Sequence, residues 1–235
     1  TGYKPGGVAF VGNKYAPFAD ETVKSIEAGV KSELFDRRVR LNFDVFSSKF
    51  TDFQATILTN IPGNVLQQLV IGNAGGLKSS GAEATLAWRA TESLSLTGAV
   101  TYADAHFTDY VYNATTDYTG TRLTNAPRLS AHLGVDYDRV VGAMRVRANL
   151  GYAYRSKSWT VVGQPAYSEV PGYGLVNGRI SLSPENSQIE FGLYGRNLFN
   201  TYYSTGYQQY GALGLLHYTA RDAYRTVGVF AKYAF

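Results

Sequence analysis

Polar and apolar residues alternate with a period of two in nine separate segments of the 235-residue chain. Because successive side chains of a β-strand point to opposite faces, this period predicts strands with one apolar and one polar face. No apolar run approaches the roughly 18 residues that a membrane-spanning helix requires. The chain is therefore predicted to be all-β, with strands at about residues 23–34, 39–57, 82–89, 94–102, 127–138, 143–154, 172–183, 188–196 and 223–235.

The connections between these strands alternate regularly between short and long. The short ones are residues 35–38, 91–93, 139–142 and 184–187. The long ones, predicted to be loops, are residues 4–22, 58–76, 109–126, 159–171 and 200–220. Tight turns at one end of an antiparallel meander and long loops at the other are typical of an outer-membrane barrel. We therefore predict an antiparallel transmembrane β-barrel whose long loops are extracellular.

One face of the strands carries more charge than a dry core tolerates. Arg145, Arg147 and Asn149 alternate with apolar residues in one segment, and Asp136 and Glu190 do so in others. Since an unpaired buried charge is costly, these residues fit a polar lumen, and the apolar face is predicted to contact lipid. Tyrosines near strand ends fit interfacial girdles. They are Tyr102, Tyr137, Tyr152, Tyr154 and Tyr233.

Composition and motifs exclude several other classes of function. The chain has no cysteine, which rules out a disulfide scaffold, a thiolate zinc site and a cysteine nucleophile. Its net charge of +4 is spread along the chain without a basic block, so no nucleic-acid partner is expected. His106, His132 and His217 lack metal-ligand spacing, so neither a metal nor a cofactor is expected.

The number of strands indicates a piece of a larger barrel. Nine strands and a stub at residues 1–3 break the even number usual for bacterial single-chain barrels. A barrel of about 22 strands at the same spacing needs roughly 570 residues. The stub is then the tail of a tenth strand, and residues 1–235 are expected to be the C-terminal portion of such a barrel.

Several stretches, in order along nearly the whole chain, resemble the barrel of TonB-dependent outer-membrane receptors. They are residues 2–7 (GYKPGG), 21–32 (ETVKSIEAGVKS), 41–46 (LNFDVF), 50–54 (FTDFQ), 73–75 (NAG), 80–83 (SGAE) and 197–203 (NLFNTYY). The last residues, 229–235 (VFAKYAF), resemble the assembly signal of outer-membrane proteins, carried by Tyr233 and Phe235. Asp20 departs from the family pattern, which has proline before the glutamate. The family's plug domain and TonB box are absent from this chain.

The resemblance implies a receptor in the outer membrane of a Gram-negative bacterium, and not an enzyme. Such a receptor takes up a scarce nutrient actively, and a ferric siderophore is the leading candidate. The implied partners are this small-molecule ligand, the TonB complex acting through the missing plug, outer-membrane lipid with lipopolysaccharide, and the assembly machinery.

Aromatic and polar residues of three long loops are the candidate ligand-binding residues. Tyrosine and tryptophan give a large contact area at low entropic cost, and arginine pairs with anions. Gln208 and its neighbour Gln209 could equally serve a sugar. Packing within the loops or a place in the girdle is the alternative for any single ring. The candidates are Tyr110, Tyr112, Tyr118, Arg122, Trp159, Tyr167, Tyr202, Tyr203, Tyr207, Gln208, Tyr210 and Arg221.

Two other functions stay open from the sequence. A passive porin-like channel has the same alternation of strands and loops. A hydrolase embedded in the barrel would need a Ser/His/Asp triad assembled across strands, since the chain has no G-x-S-x-G motif.

Overall fold

The structure, a computed structural model, describes residues 1–61, 67–113, 115–209, 214–220 and 223–233, and it consists almost wholly of β-strands. In chain order the first ten are β1 (Gly2–Lys4), β2 (Gly7–Val11), β3 (Lys14–Phe18), β4 (Glu21–Leu34), β5 (Val39–Thr51), β6 (Gln54–Asn60), β7 (Gln67–Asn73), β8 (Gly76–Arg89), β9 (Leu94–Asp109) and β10 (Val111–Asn113). The others are β11 (Thr116–Asp117), β12 (Leu129–Val141), β13 (Met144–Arg155), β14 (Ser158–Trp159), β15 (Glu169–Val170), β16 (Tyr173–Pro184), β17 (Ile189–Arg196), β18 (Ser204–Gln209), β19 (Leu215–Thr219) and β20 (Thr226–Tyr233). A 3₁₀ turn spans Ala166–Ser168. Within the described ranges, no helix has the length and apolar character needed to cross a membrane.

Ten of these strands form one sheet. Its order is β1-β4-β5-β8-β9-β12-β13-β16-β17-β20, and each neighbouring pair is antiparallel. The nine predicted strands and the predicted stub are all present, in the predicted meander. The fold class predicted from periodicity is thereby confirmed.

The long connections are not the plain loops predicted from the sequence. Each contains a two-stranded hairpin, formed by β2–β3, β6–β7, β10–β11, β14–β15 and β18–β19. The prediction of one strand over residues 39–57 is also wrong. β5 ends at Thr51, Asp52 adopts a left-handed φ of 55°, and β6 then starts a separate sheet at Gln54. All five hairpins extend from one end of the sheet, which we call the loop end. The short turns lie at the opposite end, which we call the turn end.

One face of the sheet, here called the outer face, is apolar. Val30 of β4 lies opposite Phe43 of β5, and Ile180 of β16 lies opposite Leu193 of β17. The predicted girdle tyrosines share this face through the same register. Its large apolar side chains are exposed, among them Ile26, Val30, Leu133, Leu150, Phe191, Leu193, Val227 and Val229. Such a face requires an apolar solvent or partner.

The opposite face, here called the inner face, is polar at the turn end. Asp138 accepts hydrogen bonds from Arg145 at 2.6 and 3.0 Å. Glu190 accepts from Arg147 at 3.3 Å and from Arg179 at 2.7 Å. These residues form the ion-pair ladder, and all of them except Arg145 line a concave space of about 540 Å³.

The buried hydrophobic core lies on the inner face at the loop end. Phe50 of β5 lies opposite Leu77 of β8, and Leu77 lies opposite Phe107 of β9. Leu77, Phe107, Tyr110 and Ala74 form the buried cluster, and Phe107 is only 2% exposed. The inner face therefore changes from charged to apolar where the hairpins cover it.

Three residues of the family-like stretches hold the first two hairpins to the sheet. The buried Gln54 donates to the carbonyls of Pro5 at 2.9 Å and Ala19 at 3.1 Å, while its own amide donates to Glu21 at 2.8 Å. The Asn73 side chain accepts from the amide of Ala19 at 2.7 Å and donates to its carbonyl at 3.1 Å. These motif residues therefore fix the base of the hairpins β2–β3 and β6–β7.

The NLFN stretch after β17 is a tight turn. The buried Asn197 side chain accepts from the amide of Thr201 at 2.8 Å and donates to the carbonyl of Thr201 at 2.9 Å. Leu198 then lies over Gly195, where an added Cβ would come within 2.4 Å of the leucine. This turn leads the chain from the sheet into the last hairpin.

Candidate ligand-binding site

Residues from four of the long connections surround an open cavity of about 510 Å³ at the loop end, here called the aromatic recess. Its lining shares two properties: it is rich in phenol and hydroxyl groups, and its described residues include no charged side chain. They are Thr56, Tyr110, Tyr112, Tyr118, Asn125, Thr160, Val161, Val162, Thr205, Gly206, Tyr207 and Tyr218. The structure thus brings together four of the predicted ligand-binding residues: Tyr110, Tyr112, Tyr118 and Tyr207.

A chain of packed rings anchors one wall of the recess to the sheet. The ring centroids of Phe53 and Phe107 are 6.1 Å apart, those of Phe107 and Tyr110 4.8 Å, and those of Tyr110 and Tyr118 5.4 Å. The ring centroid of Tyr112 lies 5.6 Å from that of Tyr118, at the end of this series of rings that is farthest from Phe53. Rings held in this way are positioned before a ligand arrives, which lowers the entropic cost of binding.

The opposite wall of the recess is joined across two hairpins by Thr160. Its hydroxyl donates to the carbonyl of Tyr207 at 3.0 Å and accepts from the amide of Tyr207 at 3.3 Å. The ring of Tyr207 stacks on His217 with centroids 4.6 Å apart and an angle of 6°. This wall of the aromatic recess is therefore formed by hairpins that contact one another and not by independent loops.

Burial sets the ionisation of the phenols. Removal from water raises the pKa of Tyr110, with smaller contributions from Tyr118 and Tyr112. Burial likewise raises the pKa of Tyr112. Both phenols are therefore neutral hydrogen-bonding groups at physiological pH.

His217 forms a small polar cluster beside the recess. Its Nε2 contacts the Ser204 hydroxyl, and its Nδ1 lies 3.4 Å from the hydroxyl of Tyr202. A hydrolytic triad requires a carboxylate at the second ring nitrogen, and here a phenol occupies that place. In the described part of the chain, no group of three metal-ligating side chains comes together.

Other predicted candidates lie outside the recess. Arg122 stands 5.5 Å from the ring of Trp159 and donates to the carbonyl of Ala126 at 3.0 Å. Burial, together with Arg128, lowers the pKa of Arg122. Tyr203 is buried and stacks on Tyr173 at 4.4 Å. These contacts hold the loops together, which was the alternative considered for each ring.

The last predicted residues have varied positions. Tyr167 lies in the 3₁₀ turn and is 37% exposed, and Tyr202 is 51% exposed at the start of the last long connection. The backbone of Gln208 pairs with Leu216 in the last hairpin. Tyr233 lies opposite Ile189 on the outer face. Tyr210, Arg221 and Phe235 fall outside the described residues.

The sequence prediction missed Tyr218 and the three threonines of the lining. Tyr218 lies opposite Gly206 in the hairpin β18–β19. Treating residues 200–220 as an irregular loop concealed that pairing, although β18 and β19 carry the aromatic and β-branched residues typical of strands.

Comparisons with known proteins agree with this architecture. Residues 1–198 match the profile of a protein family described as "TonB dependent receptor-like, beta-barrel". The metal-pseudopaline receptor CntO of Pseudomonas aeruginosa is 30% identical over 213 residues, which cover 87% of this chain and 27% of that receptor. The chain therefore spans about a quarter of the length of this relative.

Solved structures show the same fold. The ferric yersiniabactin uptake receptor FyuA of Yersinia pestis matches 100% of this chain and 34% of its own, with a TM-score of 0.81 and 20% identity. The siderophore receptor PiuA of Acinetobacter baumannii matches 91% of this chain and 28% of its own, with a TM-score of 0.69 and 22% identity. The printed names of these relatives describe receptors and not enzymes, so they give no support to the hydrolase alternative. The family match places the chain in the outer membrane of a Gram-negative bacterium. The chain belongs to the TonB-dependent receptor-like β-barrel family.

Proposed function

We propose that this chain forms the C-terminal portion of the barrel of a receptor that captures a metal chelate at the aromatic recess. A plug domain outside this chain would couple release of the ligand to TonB-derived energy. The observation that carries the proposal is the set of held tyrosines at the loop end, which offers ring faces and neutral hydroxyl groups to a ligand. A ferric siderophore is the favoured ligand because the structural relatives named above include siderophore receptors.

The test is a direct binding and uptake measurement on the full receptor that contains these strands. Ferric complexes of one catecholate and one hydroxamate siderophore serve as probes, together with metal-loaded pseudopaline, the ligand in the name of the relative CntO. We expect Tyr207→Ala to weaken binding of the accepted complex at least tenfold, because the ring supplies both contact area and the stack on His217. Tyr167→Ala, which removes a ring outside the recess, is the matched control.

The passive-channel alternative gives a different result in the same cells. A TonB-dependent receptor requires an energised TonB system and shows saturable uptake, whereas a passive channel admits small solutes without either. Uptake that persists unchanged in cells without TonB, and is unaffected by Tyr207→Ala, would contradict the proposal.

A further inference from the structure

His217 of β19 lies behind the aromatic recess, in contact with one of its rings. Its imidazole is nearly parallel to the ring of Tyr207, with an angle of 6° and centroids 4.6 Å apart. Tyr207 is half-buried and lines the recess, whereas His217 is exposed to solvent beside it. A change of charge at His217 is therefore expected to reach a ligand through the ring of Tyr207.

Each ring nitrogen of His217 faces a hydroxyl group. Nε2 contacts the hydroxyl of Ser204, a residue that is 4% exposed and whose oxygen lies 3.3 Å from the Tyr207 hydroxyl. Nδ1 lies 3.4 Å from the hydroxyl of Tyr202, which is itself 3.2 Å from the hydroxyl of Thr219. A hydroxyl group can donate to a neutral imidazole or accept from a protonated one. The cluster therefore accommodates both charge states of His217 without loss of a polar contact.

Among the described residues, the titratable neighbours of His217 are phenols. Tyr202 precedes β18, Tyr207 lies on β18, and Tyr218 follows His217 on β19. Tyr224, which precedes β20, lies behind Tyr202 with ring centroids 6.1 Å apart. A phenol carries no charge at physiological pH. Protonation of His217 therefore places a positive charge directly behind a ring of the recess, with no carboxylate among these neighbours to balance it.

We propose that His217 is a positioning residue for Tyr207 and that its protonated form strengthens capture of a chelate in a mildly acidic medium. This inference rests on the proposed function, because it concerns the same recess. A cation stacked on a phenol ring attracts the ring, so the imidazolium holds Tyr207 in place more firmly than the neutral imidazole does. A ring already held in position lowers the entropic cost of binding. Histidine changes its charge between pH 5 and 8, so the gain is present in acid and is lost as pH rises through this range.

The test compares the affinity of the full receptor at pH 5.5 and pH 7.5, within the range in which histidine titrates. The probes are the ferric catecholate, the ferric hydroxamate and the metal-loaded pseudopaline used above. The ratio of the two affinities is compared between variants, because effects of pH on the chelate itself then cancel. For the complex that binds, the ratio in favour of pH 5.5 is expected to be about two- to fivefold larger in wild type than in His217→Gln, the equivalent of one exposed cation–π contact.

The control variant is His132→Gln. His132 lies opposite Ala153 on the inner face, so this change removes an imidazole outside the recess. Its affinity ratio is expected to equal that of wild type.

A second measurement shows whether His217 acts through Tyr207. If protonation favours binding, binding must take up protons, and calorimetry in buffers of different ionisation enthalpy detects this uptake. His217→Gln is expected to reduce the uptake in wild type. In the Tyr207→Ala background it is expected to change neither the uptake nor the affinity ratio, because the ring that transmits the effect is gone.

Two results would overturn this inference and leave the proposed function standing. The first is an equal affinity ratio for wild type and His217→Gln, as expected if His217 only packs against Tyr207 and its loss weakens binding by the same factor at both pH values. The second is an effect of His217→Gln that persists undiminished in Tyr207→Ala. Failure of every probe to bind at either pH would instead contradict the proposed function, and the inference with it.

Discussion

The inner face of the sheet is apolar and buried at the loop end but charged and open at the turn end. At the loop end Phe107 is 2% exposed beneath the hairpins, while at the turn end the ion-pair ladder borders open space. The strands run through both ends without interruption, so the backbone does not cause the difference. What differs is whether other parts of this chain cover the face. Apolar side chains are favourable under the hairpins, and charges are favourable where the face is wet.

The two ends of the inner face therefore have different roles. The packed loop end positions the tyrosines of the aromatic recess, and under the proposed function the ion-pair ladder lines the space through which a bound ligand leaves. The following predictions test the contrast from its largest effect to its smallest.

Removal of the ring at the centre of the packed end should have the largest effect. Phe107→Ala leaves a cavity among buried rings and is expected to cost about 3–5 kcal/mol of unfolding free energy. Urea unfolding of the receptor in detergent measures this loss, with the exposed neighbour Thr108→Ala as control. A loss below about 1 kcal/mol would show that the hairpins do not depend on the buried cluster.

A charge on the outer face should be tolerated far less than one on the inner face. Leu150→Arg near the middle of β13 is expected to cost about 2–4 kcal/mol in the bilayer, and Ala153→Arg on the inner face much less. The amounts of folded receptor in outer membranes, measured by heat-modifiable gel migration, distinguish the two variants. Equal assembly of both would contradict the assignment of the faces.

Breaking the ion-pair ladder should have an intermediate effect. Glu190→Gln removes the carboxylate shared by Arg147 and Arg179 and leaves Arg147 with Asp138 alone, at 3.4 Å. The partial exposure of these side chains limits the cost to about 1–2 kcal/mol. Salt should narrow the gap to wild type because it screens the wild-type ion pairs. The exposed Glu185→Gln in the adjacent turn is the control. If the variant has the same free energy of unfolding as wild type at low salt, the ion-pair ladder does not contribute to stability.

The smallest effect concerns alkaline pH. Because the pKa of Tyr110 is raised in the folded state, an unfolded chain loses this proton first as pH rises above about 10. The stabilising contribution is complete below that pH and is lost as pH rises through the folded pKa. Tyr110→Phe should therefore show a shallower decline in melting temperature between pH 9.5 and 11.5, and an unchanged slope would argue against burial of the phenol.

The alternation of polar and apolar residues predicted the strands of the ten-stranded sheet because each strand carries this alternation within its own sequence. Residues 127–138 and 143–154 alternate clearly, and their strands β12 and β13 pair along their whole length. The hairpins were missed because their strands are short, from two residues in β11, β14 and β15 to seven in β6 and β7. The roles of Gln54 and Asn73 depend on contacts with residues 5 and 19, which are distant in sequence.

The candidate site was predictable as a group of residues but not as individual contacts. Tyr110, Tyr112, Tyr118 and Tyr207 converge as expected for aromatic residues of neighbouring loops. Arg122 does not join them, since its backbone forms an isolated bridge with His106 and its side chain donates to the carbonyl of Ala126. That register is set by pairing between segments, which composition does not encode.

The central claim is that the apolar face meets lipid and the polar face lines the interior, and a cysteine scan of β13 tests it most directly. The chain has no cysteine, so single cysteines at positions 146–153 can be spin-labelled in the receptor and measured in proteoliposomes. We predict high oxygen accessibility at Val146, Ala148, Leu150 and Tyr152, and low values at Arg147, Asn149, Gly151 and Ala153. Accessibility without this period of two, or with the opposite phase, would contradict the account.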